Sequence, residues 1–212
     1  SQRKPFTTAA VLFLLIGFPA LSYVYLKMGY DYRKEAISVQ GDYGKMPDLS
    51  GLADVRGKLP AKLRGSMVVV GWLDEDRPEV ARTYGHMLDS LNRQFDDSPN
   101  LHFTTIVNST MDTGEIHAFA DRYHLPDSDH LSFLRTDAAT LARTAREFHL
   151  PLSEYDSPGS RPIVALVDSS QTIVKYYDLD RQDERIGLVQ LISLIIPLPK
   201  KGDAVYQTPR EF

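Results

Sequence analysis

The sequence contains no cysteine. Disulfides, thiol exchange, thiolate zinc sites and thiolate-held iron–sulfur clusters are excluded with it, since each needs a sulfur that can lose its proton. The absence leaves the compartment open, because a cysteine-free chain is indifferent to redox conditions. Excess charge is also missing: 24 basic residues are interspersed with 28 acidic ones, for a net charge of −4. A chain without a basic patch has nothing to follow phosphates with, so nucleic acid is not expected as a partner. No internal repeat or low-complexity tract is visible. A Walker loop, a GxSxG elbow, an HExxH pair and a dinucleotide glycine fingerprint are all absent.

What is present starts with an apolar run. Residues 6–26, FTTAAVLFLLIGFPALSYVYL, carry no charge. At ~1.5 Å per residue they reach ~30 Å, the thickness of a bilayer's hydrocarbon core. Tyr23, Tyr25 and Tyr30 fall near the far end, where amphipathic rings favour the membrane interface. Residues 6–28 are therefore read as a single transmembrane anchor in the lipid bilayer. A cleaved signal peptide with Ala20-Leu21-Ser22 at its site is the alternative, and the run is longer than a usual signal core. Arg3 and Lys4 stand on one side and Lys27, Arg33 and Lys34 on the other, so charge does not set the orientation. Pro19 removes a backbone donor and predicts a bend, which neighbouring helices tolerate best.

Residues 1–5 form a flank and residues 29–46, polar with Gly41 and Gly44, read as a tether. A globular domain over 47–198 and a tail over 199–212 complete the division. Within the domain, Met46-Pro47-Asp48-Leu49 is extended and residues 54–58 supply a turn. Residues 66–72, SMVVVGW, suit a buried central strand. A helix starts near Pro78, where Asp74, Glu75 and Asp76 suit its positive end; Val80, Tyr84, Met87, Leu88, Leu91 and Phe95 form its apolar stripe. Strands follow at 101–107 and 131–134, helices at 113–123 and 138–148. Residues 162–168 and 172–177 form a hairpin around Ser169-Ser170-Gln171, and a last helix runs over 183–196. Alternating strand and helix with a closing hairpin predicts an α/β fold, a mixed sheet with flanking helices.

The order and spacing of these pieces resemble the Sco/SenC family, membrane-anchored thioredoxin-like proteins that handle copper for haem–copper oxidases. The resemblance covers about residues 38–198. It is carried by the strand ending Gly71-Trp72 followed by Pro78-Glu79, and by residues 108–115, NSTMDTGE, similar to that family's Asp-Pro-Glu-Arg-Asp-Thr-Pro-Glu. Residues 163–168 running into a turn and a strand add to it. The resemblance implies a thioredoxin-like fold behind one transmembrane helix, in a bacterial inner membrane with the soluble domain on the periplasmic side. It places the family's CxxxC at Leu73 and Arg77, its copper-binding histidine at Ser160, and a cis-proline at Pro162. None of Leu73, Arg77 and Ser160 can supply the soft two-thiolate, one-imidazole set that suits Cu(I). The chain is thus read as a degenerate member with no catalytic residue, no metal and no cofactor. It would serve as a subunit or assembly factor of a membrane complex, with respiratory subunits of the oxidase setting as partners. A copper metallochaperone using non-cysteine ligands is the alternative.

Other residues could stand in for the missing ligands. His86-Met87 is tempting, but adjacent helical residues point about 100° apart, and Met87 belongs to the apolar stripe. His117 and His124 share one helical face at seven-residue spacing, too far apart for one ion. His124 and His130 bracket a loop in which Asp127 and Asp129 could assist; His102 and His149 complete the set of six histidines. Arg77 is expected to reach Asp74 or Asp76, or to face a partner. Asp168 is expected to fix the hairpin turn, and Asn108-Ser109-Thr110 fits a glycosylation sequon.

Overall fold

The computed structural model describes residues 13–38, 40–60, 62–74, 77–153 and 156–197. The flank 1–5, the first part of the anchor, the tail 199–212 and the acidic pair Glu75 and Asp76 lie outside the described residues. The chain divides into two compact units, residues 1–40 and 41–212.

The first unit is a helix. A π-helical turn over Phe13–Gly17 passes into α1, Phe18–Ser38. Pro19 explains the change of pitch, because it has no N–H for the carbonyl one turn earlier and its ring crowds that carbonyl. The large apolar side chains from Phe13 to Tyr30 are all more than half exposed, so no face of this helix is turned inward. Phe13–Asp31 is long and apolar enough to cross a membrane. The helix also runs ten residues beyond Lys27 and Met28, which corrects the reading of residues 29–38 as tether. The remainder of that expected tether is not loose either. Gly41 and Tyr43 donate to the carbonyls of Val174 and Ile173 at 2.8 and 3.0 Å, laying residues 41–46 along a sheet edge.

The second unit is built on six strands: β1 (Ala53–Arg56), β2 (Met67–Leu73), β3 (Leu101–Asn108), β4 (Leu131–Thr136), β5 (Ile163–Val167) and β6 (Ile173–Asp178). Their order is β1-β4-β3-β2-β5-β6. Strands β2, β3 and β4 run parallel, while β1, β5 and β6 pair antiparallel to their neighbours. The helices are α2 (Pro78–Gln94), α3 (Thr113–Arg122), α4 (Ala138–Glu147) and α5 (Gln182–Ile195). Residues 54–58, expected as a turn, give most of β1 instead. The strand is short and the strand it pairs with, β4, lies some eighty positions on, so nothing local marks it. Its Arg56 is buried, donating to the Leu125 carbonyl at 2.8 Å.

Strand alternation divides the core in two. Met67, Val69 and Leu73 of β2 face a core filled by Tyr84, Leu88 and Leu91 of α2, Ile116 and Phe119 of α3, and Leu188 and Ile192 of α5. Val68, Val70 and Trp72 face the opposite core with Leu141 of α4, Phe148 and Leu49. Gly71 stands where any β-carbon would collide with the Tyr84 ring, whose hydroxyl pairs with Thr105 Oγ1 at 2.7 Å. Asp112 opens α3 with a capping box: its carboxylate accepts from Glu115 N at 2.8 Å and its own N–H donates to Glu115 Oε2 at 2.7 Å. At the β5–β6 turn Asp168 Oδ1 accepts from the N–H groups of Ser170 and Thr172, both at 2.9 Å, the role expected of it.

Phe148 is fully buried and meets Trp72 edge-on at 5.1 Å. Phe148→Ala is expected to lower stability by about 3–5 kcal/mol, read as a lower urea midpoint with an unchanged slope. A midpoint equal to wild type would show that this second core does not carry the fold.

Candidate functional site

Three junctions meet at one end of the sheet: the end of β2, the start of α2, and the loop that leads into β5. Leu73 closes β2 and is 1% exposed, its side chain committed to the core. Asp74 follows, half-buried, and Arg77 stands exposed immediately before α2. The helix begins on Pro78 with no side-chain cap bond, so the described acid Asp74 does not cap it; Glu79 is the acid in its first turn. On the other side, Gly159 has φ +84°, and a β-carbon there would lie 2.7 Å from Asp74 N and 3.1 Å from the Leu73 carbonyl carbon. The loop carrying Ser160 is thus seated directly against the end of β2. Ser160 N–H donates to the Ser157 carbonyl at 2.9 Å, while its hydroxyl oxygen is shut from solvent without a partner among the described residues.

Across the cleft from Arg77 stands one carboxylate that feels its charge, Asp156. Asp156 accepts from Ser153 Oγ and N–H at 2.8 and 3.2 Å, and these bonds, with the charges of Arg161 and Arg77, hold its carboxyl below the usual range. Among the described residues Arg77 makes no ion pair, with Asp74 or with any other carboxylate, and it stands exposed; Asp76 is outside the described residues. Arg161, next to Ser160, is ion-paired with Asp178 of β6. Asp178 N–H in turn donates to Glu184 Oε2 at 2.5 Å. Sequence reasoning missed Asp156, Arg161 and Asp178 because only the fold brings these three stretches together. The one local signal was Gly159, four residues before the strand. Pro162 is buried at the base of this loop, but the peptide bond before it is trans, correcting the expected cis-proline.

A cavity of about 270 Å³ lies beside the junction, floored by Leu73, Met111, Phe119 and Tyr123 and rimmed by Asp74 and Glu115. Chemically the junction offers a hydrocarbon, a guanidinium without a free lone pair and a neutral hydroxyl. It can pair charges and pack; it cannot ligate a soft metal.

The other candidates are dispersed. Met87 is buried in the α2 stripe, and the His86 ring meets Tyr123 edge-on at 5.1 Å. α3 ends at Arg122 and His124 has φ +54°, so His117 and His124 do not share a helical face. Among the described residues no three histidine, aspartate or glutamate side chains group closely enough to hold an ion. The ring that His130 meets is not His124 but His102, at 4.9 Å between centroids. Asn108 is buried with its Oδ1 accepting from Thr110 N–H, which takes its side chain out of solvent while Ser109 and Thr110 stay exposed.

The order of strands, the two-sided helices and a junction at the end of β2 decide the architecture. The globular unit has the thioredoxin-like fold. It is similar to BsSco, a member of the Sco family of cytochrome c oxidase assembly proteins, at 13% identity over 73% of this chain and 96% of that one, with a TM-score of 0.55. It is also similar to a candidate protein disulfide isomerase from Bacteroides thetaiotaomicron, at 16% identity over 74% and 90% of the two chains, TM-score 0.56. A candidate thiol:disulfide interchange protein DsbE from Chlorobium tepidum aligns at 12% identity over 73% and 98%, TM-score 0.50. No protein-family model matches the sequence, and no curated protein does. The thioredoxin-like neighbours thus include the Sco/SenC proteins that the sequence resembles, and this chain stands among them without cysteine.

Two outcomes test these contacts. Gly159→Ala is expected to cost about 1–3 kcal/mol or more, since it adds strain at a positive φ to a collision with Asp74; an unchanged thermal midpoint would mean the loop is not seated there. His102 is 7% exposed, and burial together with the neighbouring His130 lowers its pKa from 6.5. Below that value the unfolded chain takes a proton that the folded one refuses. Stability is then expected to be full above pH 6.5 and to fall as pH drops, by up to about 1.4 kcal/mol per pH unit. Urea titrations of wild type and His102→Gln in metal-free buffer should differ in that slope.

Proposed function

We propose that this chain is a non-catalytic, Sco-like subunit or assembly factor, held by its N-terminal helix in a membrane complex of the respiratory, oxidase-associated kind. The observation that carries the reading is the junction itself. The scaffold is thioredoxin-like, similar to an oxidase assembly protein, and the resemblance assigns two thiolates and an imidazole to the positions held here by Leu73, Arg77 and Ser160, at and beside the end of β2. A site whose ligands are replaced by hydrocarbon, guanidinium and hydroxyl supports binding by charge and shape, not redox or copper chemistry. The proposal includes a single pass through a bacterial inner membrane, with the globular unit on the periplasmic side. The all-round apolar helix supports the anchoring; the side rests on the family analogy alone.

Gentle solubilisation of native membranes and isolation of the tagged full-length chain test the partner. Oxidase or quinol-oxidising subunits should co-migrate with it in stoichiometric amount, and a lone monomer would overturn the reading. Cu(I) titration tests the chemistry. The wild-type chain should bind no Cu(I) tighter than about micromolar, whereas Leu73→Cys combined with Arg77→Cys and Ser160→His should bind it at least about a hundredfold more tightly. Tight binding by the wild type would transfer support to a metallochaperone with other ligands.

A further inference from the structure

A cavity of about 410 Å³ lies against the second core, between residues 46–60, Leu63 and the β5–β6 turn. That volume falls within the about 300–1,000 Å³ of ligand pockets. Met46, Leu52, Leu59 and Leu63 form its shelf; each is half-buried, packed on the second core while lining the cavity. Hydrogen bonds hold the walls in place. Leu52 N–H donates to the Leu49 carbonyl at 3.1 Å, and Gln171, at φ +66°, donates from Nε2 to the Leu63 carbonyl at 2.9 Å. Three exposed charges stand on the rim, Asp48, Asp54 and Lys58. Asp48 accepts from Ser50 N–H at 2.9 Å and Asp54 from Leu59 N–H at 3.4 Å, and among the described residues none of the three charges is ion-paired. The groove beside β6 differs in this respect, because its Arg161, Arg181, Asp178 and Glu184 are already paired with one another.

Aliphatic surface ringed by charge is the plan of a protein–protein contact patch: burial supplies the attraction and the rim selects the partner. Two carboxylates against one ammonium leave this rim net negative, and without internal countercharges their field is open to a partner's cation. We propose that this cavity receives a segment of a partner protein that lays an aliphatic side chain on the leucine shelf and sets a lysine or arginine beside Asp48 and Asp54. An acidic segment would meet two like charges and a single ammonium. The bond from Ser50 N–H, with one from its hydroxyl, holds the Asp48 carboxyl below the usual range, so this carboxylate is ionised throughout the neutral range. The inference does not rest on the proposed function, since the cavity shares no residue with the junction at the end of β2.

The probe is a pair of tripeptides, acetyl-Leu-Lys-Leu-amide and acetyl-Leu-Glu-Leu-amide, titrated at low salt into the nitrogen-15-labelled full-length chain in nonionic detergent. The lysine peptide is expected to shift the Leu52, Leu59 and Leu63 amides with a Kd of about millimolar order, at least about tenfold tighter than the glutamate peptide. Lys58→Glu should tighten the lysine peptide at least about threefold, and Asp54→Asn should weaken it by about the same factor. Both side chains are exposed, so neither variant is expected to disturb the fold. Equal affinity for the two peptides, no shift at about 10 mM peptide, or binding unchanged by Lys58→Glu would overturn the proposal. Shifts of the same amides that follow protein or detergent concentration without peptide would assign the shelf to a second copy or to lipid, and would overturn it too.

Discussion

Seven consecutive residues of β2, Met67 to Leu73, are shut away from water, so every polar group of that backbone must be bonded inside the sheet. β3 satisfies one edge in parallel and β5 the other in antiparallel register. The remaining architecture follows from this constraint. A strand buried on both faces needs a core on each, and alternation sends Met67, Val69 and Leu73 to one and Val68, Val70 and Trp72 to the other. Helices on both faces and a sheet of mixed direction are the economical solution. The C-terminal end of such a strand is where its neighbours diverge, and there the junction of Leu73, Arg77 and Ser160 forms.

That junction is held by backbone packing, not by its charges. Arg77 and Arg161 are exposed, and ion pairs at such positions contribute about 0–1 kcal/mol each. The seating of Gly159 on Leu73 and Asp74 is different in kind, because it depends on a missing β-carbon and a left-handed backbone that other residues adopt only under strain. Shape and chemistry are therefore separable here. The loop's place does not depend on which side chains it carries into the cleft, here a guanidinium and a hydroxyl, and the Asp178 carboxylate pairs with Arg161.

How legible this was in the sequence depends on how local each determinant is. The β2 run, the α2 stripe from Val80 to Leu91 and the Asp168 turn all act over a few residues, and each was readable. β1 was not, because its identity as a strand comes wholly from β4. The same holds for residues 41–46, whose polar composition reads as a tether until the carbonyls of β6 claim their N–H groups. At the junction, the three positions came from a resemblance, whereas the Arg161–Asp178 pair and the seating of Gly159 required knowing that this loop folds over β2. His102 and His130 were visible only as two histidines among six; their pairing is a matter of strand register.

The helical unit adds a constraint of another sort. A helix with no apolar stripe but apolar side chains on every side has no inner face to offer a soluble core, so lipid or other helices are its natural surroundings. Under the proposed anchoring, the globular unit works at the membrane surface at a high effective concentration relative to any membrane partner. Tethering of that kind turns weak contacts into stable association without new chemistry. An exposed Arg77 with a balanced ionic cleft would be a poor site for tight binding from free solution. Under the proposed anchoring beside a membrane complex, contacts that weak would be sufficient.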